Sequence, residues 1–321
     1  MRKSVITIGV FLVIILFGVK FFIKKEVYDI KIVTPPSIIA SLPHWVAEKQ
    51  NLYEKYGLKV HTVDLTNSNL MITALQGGDA DVLPAVSLVD VINQSTKVTL
   101  NPIIFSHSRM KDNPPFEALS VMRGSLISNL KDLEGKKIGV YPGITSKTAV
   151  KNFLIENNVN VSTIEFVPLP PPEHIKMMQS GNIDCSHIYE PMKTSNLEDG
   201  KTRLISSSVY AHFNNPSAVG VSVISQNCYR DNNAAATKFL QAWDEAVDYI
   251  RENDKEARGI LIQKLNISKS VAMKATWVDV TKTNEFSKDL VIATINSYKK
   301  IGLIDSTFQI TNEYFIDAPS R

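Results

Sequence analysis

The sequence predicts an α/β protein built from two similar lobes joined by two crossing strands. Three observations carry this. Strand-like and helix-like patterns alternate along the chain. One short strand-and-helix pattern occurs twice. Two extended apolar segments flank the second copy. Alternation of this kind argues for parallel strands joined by crossover helices.

The elements follow in order. Residues 30–33 form a short apolar strand. Pro43 suits a first helical position with Leu42 at the cap, and opens a helix through Lys55 that Gly57 ends. Val60, Val63 and Leu65 belong to the next strand. Asn67 or Ser68 caps a helix running to Leu75, and Gly77 and Gly78 stop it. Residues 81–83 are a strand, and Ser87 starts another helix.

The repeat is short but ordered. Residues 31–36 read KIVTPP and residues 137–142 read KIGVYP, each a strand ending in proline. Residues 75–82 read LQGGDADV and residues 178–185 read MQSGNIDC, each a helix end, a glycine turn and a strand. The two pairs keep nearly the same offset, from 31 to 137 and from 75 to 178, so the units correspond in order and size. One sheet with two similar crossovers is the simpler alternative. The flanking segments EALSVM (117–122) and AVGVSVI (218–224) read as the strands that leave one lobe and return. This assigns residues 30–120 and 225–321 to lobe one and 121–224 to lobe two. In the returning part, Phe239, Leu240, Trp243, Ala246, Val247 and Ile250 share one face of a long helix.

Residues 1–29 stand apart. Arg2 and Lys3 precede the uncharged run VITIGVFLVIILFGV (5–19), followed by Lys20, Lys24 and Lys25. The run is short for a span and long for a signal core, but reaches a minimal span if Lys20 snorkels. No small-residue cleavage site follows. An uncleaved signal-anchor over residues 5–23 is the favoured reading, with a cleaved signal or a buried helix as alternatives. The chain has 35 basic and 32 acidic residues, and five of the basic ones lie in residues 1–25. The remainder, 30 against 32, gives no electrostatic case for nucleic-acid binding. An exported context permits a disulfide between Cys185 and Cys228; two separate buried thiols are the alternative. No metal-ligand cluster is legible, and no cofactor is expected.

Four segments carry a family resemblance: WVAEKQNLYEKYGLKV (45–60), ALQGGDADV (74–82), LKDLEGKKIGV (130–140) and IYEPM (188–192). They resemble the nitrate/sulfonate/bicarbonate-type substrate-binding proteins of ABC importers, including the thiamine-precursor-binding branch. The resemblance covers about residues 30–250. It implies the periplasmic-binding-protein type II fold, a small-molecule ligand between the lobes, and delivery to a membrane permease powered by a separate ATPase. It also puts the body outside the cytoplasmic membrane, in the periplasm or its equivalent, where the signal-anchor reading of residues 5–23 would tether it. The chain has no Walker A motif, so the ATPase would be another protein.

Ligands of open α/β sheets sit at the carboxyl ends of strands, where helix N-termini point. In lobe one that places Ser37, Ser41, Leu42, His44 and Ser87 at the cleft; Trp45 reads equally well as core. In lobe two it places Gly143, Thr145 and Ser146, where glycine admits close approach and free N–H groups and hydroxyls suit an anion. An ordinary N-cap explains the same residues. Tyr189 could stack on a ligand and Glu190 could pair with its cationic group, or Glu190 could be a hinge contact. His212 reads as a surface loop residue. Basic residues are sparse around these strand ends, so an anionic ligand would rely on helix N-termini, whereas Glu190 favours an amine or heterocycle.

Three functions compete: an importer's binding protein, a sensor presenting its closed state to a membrane signalling partner, and an enzyme on the same fold. The pyrimidine synthases that resemble this family carry a cysteine-rich motif, whereas this chain has two unclustered cysteines. It also lacks HExxH and GxSxG. The expectation is therefore a binder and not an enzyme.

Overall fold

The computed structural model describes residues 26–96 and 102–317. Its strands are β1 (Tyr28–Thr34), β2 (Leu58–Asp64), β3 (Val82–Ser87), β4 (Ile103–Met110), β5 (Glu117–Met122), β6 (Lys137–Val140), β7 (Glu165–Pro168), β8 (Cys185–Tyr189), β9 (Thr202–Leu204), β10 (Ser217–Ile224) and β11 (Asp279–Val280). They form two sheets, ordered β11-β4-β10-β3-β1-β2 and β7-β6-β8-β5-β9.

The two orders share one plan. In the first sheet β2, β1 and β3 run parallel, and β10 lies antiparallel between β3 and β4. In the second, β7, β6 and β8 run parallel, and β5 lies antiparallel between β8 and β9. So β1 matches β6 and β3 matches β8, which are the segments that repeat in the sequence. The antiparallel strands β10 and β5 are the two flanking segments, and each sits wholly in one sheet. The chain crosses between sheets just before them, through residues 111–116 and 205–216. Asp112 N–H donates to Asn215 Oδ1 at 3.4 Å, so the crossings run side by side. This corrects the expected boundaries: residues 117–120 belong to the second sheet and residues 217–224 to the first. An apolar strand at a lobe boundary carries no mark of which sheet will take it.

Local chemistry sets the element ends. Asn67 accepts N–H groups of Asn69 and Leu70 and caps helix Ser68–Gly77, and Gly78 closes it at φ 78°. Ser87 caps helix Leu88–Ser95. The single helix expected through Lys55 is two: Leu42–Lys49 and Leu52–Lys55, parted by Asn51 at φ 54°. Asparagine tolerates that left-handed turn better than most residues. The strand expected over 81–83 runs on to Ser87 through Pro84, which lacks an N–H to give the ladder. The register of β10 shifts opposite it, between Val221 and Val223, and Ser222 Oγ donates to the Pro84 carbonyl at 2.6 Å.

Helices Leu42–Lys49, Asn233–Glu252 and Asp254–Leu265 pack together over the first sheet. Phe105, Phe239 and Trp243 meet in this core, with Trp243 edge-on to Phe105 at 5.2 Å. Cys185 on β8 and Cys228 in helix Gln226–Asp231 are free thiols, so the disulfide does not form. Burial pushes both thiols up to about 12. The expected anchor, residues 5–23, lies outside the described residues. Among the described residues no helix is long and apolar enough to cross a membrane.

Candidate functional site

Parallel strands of one sheet end on the same edge. In the first sheet the carboxyl ends of β1, β3 and β4 lead into residues 35–41, Ser87 and residues 111–116. In the second, β6 and β8 lead into residues 141–143 and Glu190–Pro191. These turns are the expected lips of the site.

The lip of the second sheet is built on a buried polar chain. Gly143, at φ 99°, opens helix Ile144–Glu156. Ser146 Oγ accepts the Tyr141 N–H at 3.2 Å and lies 2.9 Å from His187 Nδ1. His187 Nε2 is 2.7 Å from Glu117 Oε2, with both side chains fully buried. Glu117 also accepts the Ser208 hydroxyl and the N–H groups of Val209 and Tyr210. The serine–histidine–carboxylate order resembles a hydrolytic relay. Here Ser146 is buried and held from two sides, and Glu117 ties β5 to the returning segment. The arrangement fixes the lip in place; it offers no exposed nucleophile. Thr145, half-buried beside it, keeps a hydroxyl at the helix opening.

Tyr189 does not stand free for a ligand. Its ring stacks on Tyr141 at 4.3 Å, and its hydroxyl meets that of Tyr210 at 2.8 Å. Burial raises all three phenols, so this wall stays neutral. Glu190 is committed as well, which corrects the expected ion pair with a ligand. It accepts the Thr194 N–H and hydroxyl, pairs with Lys193 at 3.0 Å, and accepts the Thr276 N–H at 3.1 Å. Thr276 lies just before β11, so Glu190 joins the two halves.

On the first sheet's lip, Ser37 is exposed, whereas Ser41 is buried, accepts the Thr34 hydroxyl at 3.0 Å and donates to the Pro35 carbonyl. Ser87 Oγ accepts the Asp90 N–H at 3.3 Å. Burial pushes the Asp90 carboxyl up, against hydrogen bonds from Ser68 and Ser87 that favour its charge. His44 is a correction: it is fully buried, with Nδ1 2.9 Å from the Tyr53 hydroxyl and Nε2 near Thr62 and Glu48. Burial pushes its imidazole down to about 4. Its neighbour Trp45 is core. His212 sits on helix Val209–Phe213 and pairs with Glu156 at 2.8 Å.

A cavity of about 620 Å³ opens beside these lips. Leu42 is the one expected site residue lining it. Arg109 and Lys111, at the end of β4, share the Asp279 carboxylate at 2.8 and 3.0 Å. Burial pushes Asp279 up, but hydrogen bonds from the two cations outweigh it, and its carboxyl lies below the usual range. Phe116 lines the cavity and turns its edge to Tyr189 at 6.4 Å, so the cavity borders the tyrosine wall. Sequence reasoning missed Arg109, Lys111 and Trp277. The apolar run Ile103 to Phe105 is the sequence signal for β4, and so for the two cations at its end. Among the described residues no cluster of three metal-ligating side chains occurs.

The profile described as NMT1/THI5 like matches residues 39–257, over half of the chain. This chain belongs to the NMT1/THI5-like family. A relative in Brachyspira hyodysenteriae, named as an ABC transporter periplasmic binding protein, is 23% identical over 286 residues, covering 86% of this chain and 79% of the relative. Two solved structures share the fold. The periplasmic aliphatic sulphonate-binding protein SsuA of Escherichia coli matches with a TM-score of 0.71 at 17% identity, over 86% of this chain and 88% of that one. The alkanesulfonate-binding protein SsuA of Xanthomonas axonopodis pv. citri, bound to MOPS, matches with a TM-score of 0.69 at 15% identity, over 87% and 95%. The NMT1/THI5-like chain therefore has the periplasmic-binding-protein fold, as its repeated segments and motifs imply.

Proposed function

We propose that this chain is the extracytoplasmic solute-binding protein of an ABC-type importer. It takes a small organic molecule between its two lobes and hands it to a permease with a separate ATPase. The observation that carries this reading is the pair of lips: parallel strands of each sheet end in helix-opening turns, at Ser87 after β3 in one and at Gly143 to Ser146 after β6 in the other. Free N–H groups and the Thr145 hydroxyl suit the ligand's polar end. Ile38, Leu70 and Ile144 follow strand ends on both sides and are 41%, 58% and 54% exposed. Apolar side chains left open at such a place suit a ligand with an apolar part, and closure about it would bury them. The sulfonate-binding structural neighbours support an organic anion as the class to try first. Residues 5–23 would hold the body at the membrane surface.

The test is thermal denaturation of the full chain in mild detergent against alkanesulfonates, amino acids and aminopyrimidines. A true ligand at a hundredfold excess over its Kd stabilises by about 2.7 kcal/mol. Thr145→Ala should weaken binding roughly tenfold without lowering the melting point of the free protein. No stabilisation by any class would sink the proposal.

A further inference from the structure

The edges of the two sheets are not alike. β11, β7 and β9 are edge strands of two, four and three residues, and β7 ends on Pro168. Short edges and prolines are devices by which sheets avoid pairing with other chains. β2 has neither. It is seven residues long, holds no proline or glycine, and keeps an unbroken register with β1 from Leu58 to Asp64. Among the described residues nothing pairs with its other side. Five of its seven residues are exposed, Val63 by 55%.

Two bonds at the ends of the ladder fix which backbone groups face outward. The Tyr28 N–H donates to the Gly57 carbonyl at 3.0 Å, and the Leu65 N–H donates to the Thr34 carbonyl at 3.1 Å. Alternate residues of a parallel strand bond to one neighbour. Gly57, Lys59, His61, Val63 and Leu65 therefore bond toward β1. The N–H and C=O groups of Leu58, Val60, Thr62 and Asp64 point away from it, a row of four donors and four acceptors along the open edge.

We propose that this edge is an interface with a second copy of the chain, the two β2 strands pairing antiparallel about a twofold axis at His61. In that register Leu58 meets Asp64 of the second copy and Val60 meets its Thr62, so all four outward residues bond in pairs. Any other register leaves some of them unpaired. Lys59 lies opposite Val63 of the second copy, and His61 lies opposite itself. No acid faces an acid and no lysine faces a lysine, and the Lys59 stem covers the exposed Val63. A twofold contact closes on itself, so assembly stops at a dimer. The pairing uses the flank of the first sheet and not its carboxyl edge, which leaves both clefts free. One pair of strands is a small contact, so the association is weak.

Cysteines read the register. Residues opposite each other at a non-hydrogen-bonded antiparallel position have Cα atoms ~4.5 Å apart, within the ~4.4–6.8 Å that a disulfide spans. His61→Cys therefore meets its own copy at the axis. Val63→Cys, also exposed, would lie about 14 Å from its own copy and opposite Lys59. The native Cys185 and Cys228 are buried. The full chain in mild detergent is oxidised, and linked dimer is followed by intact mass. His61→Cys should link at least tenfold faster than Val63→Cys. A mixture of Val63→Cys with Lys59→Cys should give the mixed dimer in preference to either homodimer. Adding Val60→Pro removes an outward N–H and leaves the β1 ladder intact, so it should abolish linkage through His61→Cys. Circular dichroism confirms folding, and where Val60→Pro does not fold the mixing experiment decides. Equal rates for His61→Cys and Val63→Cys would overturn the proposal. So would a random distribution of dimers in the mixture, or linkage undiminished by Val60→Pro in a folded chain.

Discussion

Three buried histidines give the protein a pH dependence that can be signed residue by residue. His44, His107 and His174 are each shut from water, and burial pushes each imidazole down to about 4. In the unfolded chain each titrates near 6.5. Between those values the unfolded state binds more protons than the folded one, so stability rises with pH. The stabilisation is complete above about pH 6.5 and is lost as pH falls toward 4, by at most roughly 3 kcal/mol per histidine. Urea midpoints measured from pH 7.5 to 4.5 should fall steadily, and His174→Asn should flatten the slope. A pH-independent midpoint would contradict this. His44 also shows a limit of the sequence: it stands where a strand end meets a helix, as a ligand residue would. That Tyr53 and Thr62 close over it depends on the path of the chain through residue 62, which no local pattern states.

At the scale of elements, the paired segments were legible because each needs the same physics: a β-strand, a proline or glycine turn and a helix cap within a dozen residues. β6 and its neighbours show how tightly one pair is built. A Cβ on Gly139 would lie 2.6 Å from Ile183 Cδ1 and 3.2 Å from His174 Nδ1. His174 cannot readily give way, because its ring nitrogens engage Ser186 Oγ at 2.6 Å and the Leu169 carbonyl at 2.9 Å. Gly139→Ala should cost about 1–3 kcal/mol by overpacking, read as a lower urea midpoint with an unchanged slope. The β5 strand carries a larger stake. Glu117→Ala leaves His187 and three donors without their buried carboxylate, so a loss of about 3–5 kcal/mol is expected. Glu117 sits in EALSVM, read from sequence only as an apolar crossing strand. Its role was hidden because the partners come from residues 187 and 208–210. β4 escaped for a different reason: IIFSHSRM turns polar from Ser106 to Arg109, as a loop would, yet nearly all of it is buried between β10 and β11.

For the whole molecule, the contacts that join the two halves differ in strength, and that difference predicts how the lobes move. On one side Glu190 and Thr276 are bonded through a buried carboxylate, and Glu198 takes Ser270 and Lys274 from the first half. On the other, Asn152 Nδ2 donates to the Ile301 carbonyl at 3.2 Å, a bond between neutral groups. Breaking the first takes one hydrogen bond from a buried carboxylate and separates Glu198 from Ser270 and Lys274, at a cost of about 1.5–3 kcal/mol for each bond to a charge; breaking the second exchanges one amide bond for water, at a net cost of about 1 kcal/mol. Opening should therefore part the halves at Asn152 and pivot near Glu190. Two substitutions separate these roles. Asn152→Ala should leave the urea midpoint nearly unchanged, enlarge the radius of gyration of the free protein in X-ray scattering, and weaken ligand binding several-fold, because closure loses one of its bonds. Glu190→Ala should instead lower stability by about 3 kcal/mol or more, since Lys193 is left buried without its partner. Equal stability losses from the two, or a free protein whose dimensions ignore Asn152, would place the pivot elsewhere.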